Sequence, residues 1–295
     1  LKHRLIMDCR VSGVNSHTVK HERIVLPRIG DLIRDCIFLL RRRKKGQTLR
    51  FLVCDHTDAF FKMPLHADEQ PFFVSTYRGK VYIYTRIVQG SLNGPNTYGR
   101  LAALTGRLTQ SLVSEVEARL QVYIDDPVAA IMADERRSRR IAAILITAWL
   151  VMGFDLSMHK AQFGEFIDWV GYSVKVKDDE VIVSIKQSFL DNLMAMTKDL
   201  MKKNFIKIRD LRSYTGRATH VSNLLFAWRP FLDPLWAAVS SRDVRSEDGQ
   251  SRSKRSKAMK GTVWTKQVKS SLTWIASFLR GGIGRLTRVW DRKYF

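Results

Sequence analysis

The sequence has few cysteines and no long apolar segment. Its three cysteines are Cys9, Cys36 and Cys54. They lack both the CxxC spacing of a zinc site and the density of a disulfide framework, so we interpret them as reduced thiols. The longest apolar run, residues 141–151, is too short to span a bilayer, and the polar first residues do not resemble a signal peptide. These absences predict a soluble, intracellular protein with no membrane partner.

Negative charge is also scarce. The 295 residues include 50 Lys and Arg against 28 Asp and Glu, a net charge of +22. A chain this basic binds polyanions, with nucleic acid expected before an anionic membrane surface. The 45% of hydrophobic residues supply a sizeable core, which excludes a disordered basic tail. Two stretches are especially basic: residues 41–47, expected to form an exposed loop, and residues 240–261, typical of a mobile linker.

Strand and helix patterns are mixed along the chain. Short β-type runs occupy residues 51–54, 81–87, 120–124 and 128–132, and a further hairpin is predicted over 166–185. Helical patterns occupy residues 95–119, 134–152, 186–203 and 209–225, with Gly153 placed as a helix C-terminal glycine. The mixture predicts an α+β fold in which antiparallel strands carry helices on one face.

Two adjacent carboxylates, Asp125 and Asp126, stand between apolar runs in "QVYIDDPVAA". Taken alone, Asp-Asp-Pro is typical of a turn, because Asp bonds its own backbone and Pro presets φ. A rigid hairpin can also present paired carboxylates to a divalent cation. A third carboxylate, Asp55, ends the apolar strand pattern "LRFLVCD", where desolvating it is costly. If the two strand regions are antiparallel neighbours, all three carboxylates meet, and such a cluster repels itself unless Mg²⁺ occupies it.

The order of these motifs carries a resemblance. Asp-x-x-Asp-Ala-Phe-Phe, "VQGSLNGP", Tyr-Ile-Asp-Asp, Gly-Phe-x-x-Ser-x-x-Lys and "DWVGY" follow one another, after "KHRLIMDCRVSGVN" and "LPRIGDLI". Residues 1–225 thereby resemble retroelement reverse transcriptases, which are RNA-directed DNA polymerases. The resemblance implies a right-hand polymerase fold with an antiparallel palm sheet, fingers and a helical thumb. It divides the chain into fingers and palm (1–185), thumb-like helices (186–239), the basic flexible linker (240–261) and the start of a connection-like helical segment (262–295).

The resemblance also implies a reaction. A primer 3′-hydroxyl attacks a dNTP, with two Mg²⁺ ions, or Mn²⁺ in their place, held by Asp55 and Asp125 and by Asp126, which completes the acidic cluster. Phe60 falls where the family packs a bulky side chain under the sugar to exclude ribonucleotides. From the residues alone, the "AFF" run reads equally as strand core.

Other positions match motifs that bind substrate. Gln89 and Gly90 begin the element beneath the incoming nucleotide, although Gln-Gly is by itself an ordinary turn. Arg4, assisted by Lys2, matches the fingers position that reaches the triphosphate, and Lys160 matches a lysine proposed to protonate the departing pyrophosphate. Each of these cations could equally be a solvated surface charge.

The segment "DWVGY" matches the hairpin that grips the primer terminus, through Trp169, Gly171 and Tyr172, although alternating aromatics are also ordinary strand residues. The basic faces of the following helices are expected to track the backbone of an RNA or DNA template–primer duplex.

Three departures from the family pattern and two rival functions remain open. Val88 replaces a common Pro, Cys54 and His56 flank Asp55 unusually, and Pro127, which lacks an N–H, follows the Asp pair. One rival is an RNA-dependent RNA polymerase, against which Phe60 argues. The other is a noncatalytic nucleic-acid-binding module derived from a polymerase, against which the complete carboxylate triad argues.

Overall fold

The structure, a computed structural model, describes residues 6–19, 22–247, 261–281, 287–291 and 293. The helices are α1 (Val14–His17), α2 (Ile29–Leu40), α3 (Gly94–Ser111), α4 (Glu135–Val151), α5 (Gln187–Lys202), α6 (Ile208–Leu224), α7 (Arg229–Glu247) and α8 (Thr265–Arg280). The strands are β1 (Thr48–Val53), β2 (Val74–Tyr77), β3 (Lys80–Ile83), β4 (Ala118–Tyr123), β5 (Asp126–Ala133), β6 (Gln162–Gly164), β7 (Phe166–Trp169), β8 (Tyr172–Lys177), β9 (Glu180–Ile185), β10 (Phe205–Lys207), β11 (Thr262–Trp264) and β12 (Thr287–Asp291). The α+β prediction is confirmed.

The described chain forms two compact units. The first contains the described residues up to Val170, together with Lys175–Val181 and the described residues from Asp291 onward. The second contains Gly171–Val174 and the described residues of Ile182–Trp290. The division passes through β8 and β9, so it does not coincide with the predicted boundary after residue 185.

The first unit is built on a four-stranded antiparallel sheet with the strand order β4-β5-β1-β6. Strand β5 is central, and each of its residues from Pro127 to Ala133 is buried. Because successive side chains point to opposite faces, both faces of β5 are covered. Helices α2 and α4 both contact β1 and β5. The expectation of helices on one face only is therefore wrong for the centre of this sheet.

Helix α4 shows how local sequence sets the ends of an element. Asp134 caps its N-terminus, since its Oδ1 accepts a hydrogen bond from Arg137 N at 2.8 Å. Gly153 follows its C-terminus with φ +85°, as predicted, because the left-handed region suits glycine. Between these ends, Ile141 and Leu145 pack into an apolar cluster with Ile131 and other sheet residues.

The helix predicted over residues 95–119 is shorter than expected. Helix α3 ends at Ser111, and β4 begins at Ala118, which pairs with Ile131 of β5. Just before β4, the carbonyl of Glu117 accepts a hydrogen bond from Met132 N at 2.7 Å. Pairing with the buried central strand thus overrides the helix preference of "SEVEAR", since tertiary contacts routinely outweigh propensity.

The second unit is mainly helical, as the predicted helices over 186–203 and 209–225 required. Helices α5 and α6 occupy those positions, α7 contacts α6 and α8, and α8 contacts α5. Trp228, Trp274 and Phe278 form an aromatic cluster with ring centroids 5.3–5.9 Å apart. Strand β10 pairs with β11, and this pair and β12 were not anticipated in the region predicted as helical.

The predicted linker is partly helical. Helix α7 continues to Glu247, so the first eight residues of the segment 240–261 belong to it. Residues 248–260 lie outside the described residues. Leu235 and Val239, which precede the segment, are buried and anchor the helix that continues into it.

Two further observations concern the cysteines and the lengths of the helices. Cys9, Cys36 and Cys54 are all buried, and none forms a disulfide. In the part of the chain that the structure describes, no helix is both long and apolar enough to cross a membrane.

A buried ion pair links α2 to the sheet. Asp35 is 4% exposed, and its two carboxylate oxygens accept hydrogen bonds from Arg119 Nε at 2.5 Å and Gln121 Nε2 at 2.6 Å. Arg119 also contacts the exposed carboxylate of Glu115 at 3.3 Å. Arg119 thus has one buried and one exposed carboxylate partner, so mutating each partner in turn compares the two environments.

We expect Asp35→Ala to lower the free energy of unfolding by about 3 kcal/mol, because it leaves Arg119 and Gln121 without their buried acceptor. Glu115→Ala should cost less than about 1 kcal/mol, because the exposed pair is solvated and screened. Urea denaturation of the two variants measures the difference. Equal losses would show that burial does not govern the strength of this pair.

Candidate active site

The register of two strands brings Asp55 opposite Asp126. Strand β1 pairs with β5 up to Val53 and Val128. The antiparallel pattern continues beyond the strand, since Cys54 N donates to Pro127 O at 3.0 Å and His56 N donates to Asp125 O at 2.8 Å. These two hydrogen bonds flank Asp55 and place it across from Asp126. Pro127 lacks an N–H and cannot donate a hydrogen bond in return, but its carbonyl still accepts the one from Cys54 N.

The Asp pair lies at the tip of the hairpin of β4 and β5, as predicted. Tyr123 pairs with Asp126, so Ile124 and Asp125 form the two-residue turn. Ile124 has φ +53°, a conformation that costs a β-branched residue about 1–3 kcal/mol. Its side chain packs against the buried cluster that contains Tyr98 and Trp149, which holds the strained turn in place.

A tryptophan fixes the same hairpin from β7. The indole Nε1 of Trp169 donates to Asp126 O at 3.0 Å, and its ring meets that of Tyr123 edge-on at 6.3 Å. Trp169 is only 2% exposed. Its observed contact is therefore with the carboxylate-bearing turn, a role that the sequence did not indicate. Direct contact of this side chain with a primer stays a prediction.

The three carboxylates influence one another electrostatically. The pKa of Asp126 is raised from 3.8 to about 6, first by burial and then by the negative charges of Asp125 and Asp55. The Asp126 and Asp55 carboxyl groups are hydrogen-bonded, which favours the protonated form of Asp126. Lys160 opposes the shift, and its Nζ donates to Asp55 Oδ2 at 2.6 Å. The structure thus gathers Asp55, Asp126 and Lys160, with Asp125 close by.

The donor set of the site suits a hard divalent cation. Its side-chain donors are carboxylate oxygens, which Mg²⁺ and Mn²⁺ prefer, and mutual repulsion would be relieved by a positive charge. Within the described ranges, no group of three or more His, Cys, Asp or Glu side chains is arranged to hold a metal ion. In the described geometry the ammonium of Lys160 supplies positive charge at Asp55. Metal binding by Asp55, Asp125 and Asp126 stays a prediction.

His56 lies next to Asp55 in sequence but in a different environment. Its Nδ1 is 2.6 Å from Tyr98 Oη, and its ring lies 4.6 Å from Trp149 and 4.8 Å from Phe154. Burial lowers the pKa of His56 to about 4, so the ring is neutral near pH 7. It joins the aromatic core beneath the site. Only its unusual place beside Asp55 hinted at this role.

Phe60 lies on a 3-10 turn, Ala59–Lys62, that follows Asp58. The alternative of strand core is therefore wrong about the strand, although Ala59 is buried and Phe60 packs against two apolar clusters. The ring is partly buried, with its centroid 5.7 Å from that of Tyr98. One edge of Phe60 approaches Gly94, where an added Cβ would lie 3.5 Å from Cδ1. Contact with a nucleotide sugar stays a prediction.

The loop of Gln89 and Gly90 is held by the chain's own backbone. Met7 N donates to Gln89 O at 2.9 Å. Gly90 has φ +115°, and a Cβ there would lie 2.0 Å from Met7 O. Glycine is thus required at this position by close packing within the protein. Contact of the pair with a nucleotide stays a prediction, and Arg4 and Lys2 lie outside the described residues.

The predicted primer-grip turn begins the second unit. Gly171 has φ +82°, and a Cβ there would lie 2.9 Å from His220 Nε2. Tyr172 is 2% exposed; its ring stacks on His220 at 4.3 Å, and its hydroxyl donates to His220 O at 2.7 Å. The observed partner of both residues is therefore α6. Primer contact stays a prediction here as well.

Comparisons with known proteins show which family this chain resembles. Residues 2–174 match the family model described as reverse transcriptase (RNA-dependent DNA polymerase). The chain is 28% identical over 115 residues to the Gag-Pol polyprotein of Walleye dermal sarcoma virus, covering 38% of the chain and 6% of that protein. It is 24% identical over 193 residues to the Pro-Pol polyprotein of Simian foamy virus type 1, covering 63% of the chain and 15% of that protein.

Solved structures show the fold. The foamy viral protease-reverse transcriptase dRH, in complex with double-stranded DNA, is 18% identical with a TM-score of 0.57, over 94% of this chain and 41% of that one. A second foamy viral protease-reverse transcriptase, also with double-stranded DNA, is 17% identical with a TM-score of 0.52, over 91% of this chain and 48% of that one. The predicted right-hand polymerase fold is confirmed. The chain spans less than half of each of these relatives.

The raised pKa of Asp126 predicts a pH dependence of stability. Below pH 3.8, the ordinary pKa of this carboxyl group, Asp126 is protonated in both the folded and the unfolded state. As pH rises towards 6 the folded state keeps the proton that the unfolded state loses, so the stability of the metal-free protein falls. Asp126→Asn should remove this fall and be more stable than the unmodified protein near neutral pH.

Urea denaturation in EDTA, from about pH 4 to about pH 7, tests this expectation. Glu115→Gln, which changes an exposed carboxylate, is the control and should follow the unmodified curve. If Asp126→Asn also runs parallel to that curve, the carboxylate cluster does not carry the unfavourable charge that we assign to it.

Proposed function

The chain belongs to the reverse transcriptase family, and from that membership we propose that it extends a primer with dNTPs on an RNA or DNA template. The observation that carries the proposal is the pairing of Asp55 opposite Asp126, with Asp125 in the adjoining turn. Three neighbouring carboxylates at the end of an apolar sheet destabilise it, because like charges repel and are costly to bury. Cations bound for nucleotide transfer would relieve this repulsion.

In this proposal Asp55, Asp125 and Asp126 would hold two Mg²⁺ ions, whose positive charge would supply activation of the 3′-hydroxyl and stabilisation of the pyrophosphate. The protein contributes position. The β1–β5 hydrogen bonds fix Asp55 against the hairpin, and the indole of Trp169 fixes the carbonyl of Asp126. Rigid placement of the carboxylates spares reorganisation during the reaction.

Lys160 is proposed to act on the phosphates. Its side chain is 40% exposed and its ammonium lies 2.6 Å from Asp55 Oδ2, so it is both at the site and accessible. From this position the ammonium would reach phosphate oxygens of a bound nucleotide and would supply a proton to the leaving group. Arg4 is proposed to bind the triphosphate from the fingers segment, and Gln89 and Gly90 to lie beneath the nucleotide.

A template–primer duplex is the proposed nucleic-acid partner. The structural relatives above are in complex with double-stranded DNA. In this chain, α5 and α6 carry exposed cations at Lys198, Lys202, Arg212 and Arg217. Contacts of such groups with phosphates release counterions, so duplex affinity should fall steeply with salt. Gly171 and Tyr172 are proposed to hold the primer end.

Asp125→Asn should abolish Mg²⁺-dependent primer extension and leave duplex binding nearly unchanged, because it removes a carboxylate donor at the turn but no basic contact. Extension of a DNA primer on an RNA template, with Mg²⁺ or Mn²⁺, measures the activity, and fluorescence anisotropy measures binding. Glu115→Gln is the matched control and should retain both. Full extension by Asp125→Asn would contradict the metal-ligand role, and duplex binding without extension by the unmodified chain would favour a noncatalytic module.

Phe60→Ala should admit ribonucleotides, because the proposed barrier under the sugar is the bulk of this ring. The ratio of rNTP to dNTP incorporation is expected to rise by about tenfold or more, equivalent to about 1.4 kcal/mol of discrimination. Phe61→Ala, which truncates the neighbouring ring, is the control and should keep the original preference. An unchanged ratio in Phe60→Ala would contradict the proposal that this ring excludes ribonucleotides. A preference of the unmodified chain for rNTPs would favour an RNA polymerase.

A further inference from the structure

The hairpin of β2 and β3, here called the ribbon (residues 74–83), lies in the first unit and exposes large side chains. Its two strands pair only with each other among the described residues. Tyr77 is 61% exposed, Tyr82 46%, Val81 64% and Ile83 59%. An isolated two-stranded ribbon with such side chains in water is unusual, because contiguous exposed apolar surface generally marks a binding site.

Strand register divides the ribbon into two different faces. Ser75 pairs with Tyr82, and Tyr77 pairs with Lys80, so these four side chains share one face, the tyrosine face. Tyr84, just beyond β3, extends it, since its hydroxyl lies 3.2 Å from Ser75 Oγ. The other face, the aliphatic face, carries the pairs Val74–Ile83 and Thr76–Val81.

The two exposed tyrosines are neighbours on their face. Tyr77 and Tyr82 occupy diagonal positions across the strands, a geometry in which Cα atoms lie about 7–8 Å apart and aromatic side chains can touch a common ligand. Both offer flat rings to solvent. A strand of nucleic acid whose bases are unpaired can stack successive bases on such rings, whereas the bases of a duplex are already stacked on each other.

Positive charge surrounds the tyrosine face. Lys80 lies on it, and the guanidinium of Arg78, in the turn, is 5.2 Å from the centre of the Tyr77 ring. Arg86 follows the ribbon. No Asp or Glu occurs in the sequence between residues 70 and 114, so the charge of this segment is exclusively positive. The charged side chains of the ribbon itself are therefore complementary to a polyanion.

We propose that the tyrosine face binds single-stranded nucleic acid, with bases stacked on Tyr77 and Tyr82 and phosphates paired with Arg78 and Lys80. Aromatic platforms flanked by cations bind single strands without sequence preference. The proposal that the ribbon binds a single strand depends only on the residues of the ribbon. The identity of the strand as the unpaired part of a template rests on the proposed function.

The test uses the whole 295-residue chain and an unstructured oligodeoxythymidylate of about 20 nucleotides, followed by fluorescence anisotropy without Mg²⁺ or dNTPs. The double variant Tyr77→Ala/Tyr82→Ala should bind the single strand about tenfold more weakly or worse. Its affinity for a blunt duplex of equal length should stay within about twofold, since stacking contributes little there. The matched control, Thr76→Ala/Val81→Ala on the aliphatic face, should bind both ligands like the unmodified chain.

Two further variants separate stacking from folding and charge. Tyr77→Phe/Tyr82→Phe keeps both rings and should retain single-strand affinity, whereas weaker binding by this variant would overturn stacking. Arg78→Gln/Lys80→Gln should reduce the slope of log affinity against log salt by about 0.7 for each phosphate that the variant no longer neutralises. An unchanged slope would overturn the pairing of these cations with phosphates.

Three other results would overturn the proposal. One is unchanged single-strand affinity in the tyrosine-to-alanine variant, and another is an equal loss of affinity in the aliphatic-face control. The third is evidence that the ribbon joins two copies of the chain. In sedimentation velocity, the unmodified chain would then be a dimer, and either alanine variant would be a monomer. Since no catalysis is measured, inactivity in primer extension would leave each of these readouts intact.

Discussion

The antiparallel pairing of β1 with β5 is the constraint on which the site depends. It places Asp55 opposite Asp126 and carries Asp125 in the adjoining turn. Left to themselves, these like charges would move apart into solvent. The backbone hydrogen bonds and the buried length of β5 hold them together, and burial, followed by the repulsion between the carboxylates, raises the pKa of Asp126.

The aromatic surroundings of the carboxylates keep this arrangement in place without adding charge. His56 is neutral in an aromatic core with Tyr98, and Trp169 anchors the turn through its indole N–H. Ile124 adopts a strained backbone conformation that this packing maintains. Lys160 brings a positive charge to Asp55 on a long, partly exposed side chain. The described site therefore combines a cluster of carboxylates with one ammonium group on a partly exposed side chain.

The basic side chains are arranged differently in the two units. In the second unit, cations lie along helices, a form suited to the regular phosphate spacing of a duplex. In the first unit, the ribbon combines cations with exposed tyrosine rings, a form suited to strands whose bases are free. The net charge alone distinguishes neither form, because it does not show where the aromatic side chains lie.

Local sequence determined the α+β class, the ends of α4 at Asp134 and Gly153, and the hairpin that carries the Asp pair, because caps, turns and periodicity act within a few residues. The order of the motifs was enough to indicate the family. Tertiary structure decided the rest. It converted residues 112–119 from expected helix to turn and strand, covered both faces of β5, and assigned Trp169 and His56 to supporting the site. These outcomes depend on partners distant in the chain, whose burial and hydrogen bonds outweigh local preference.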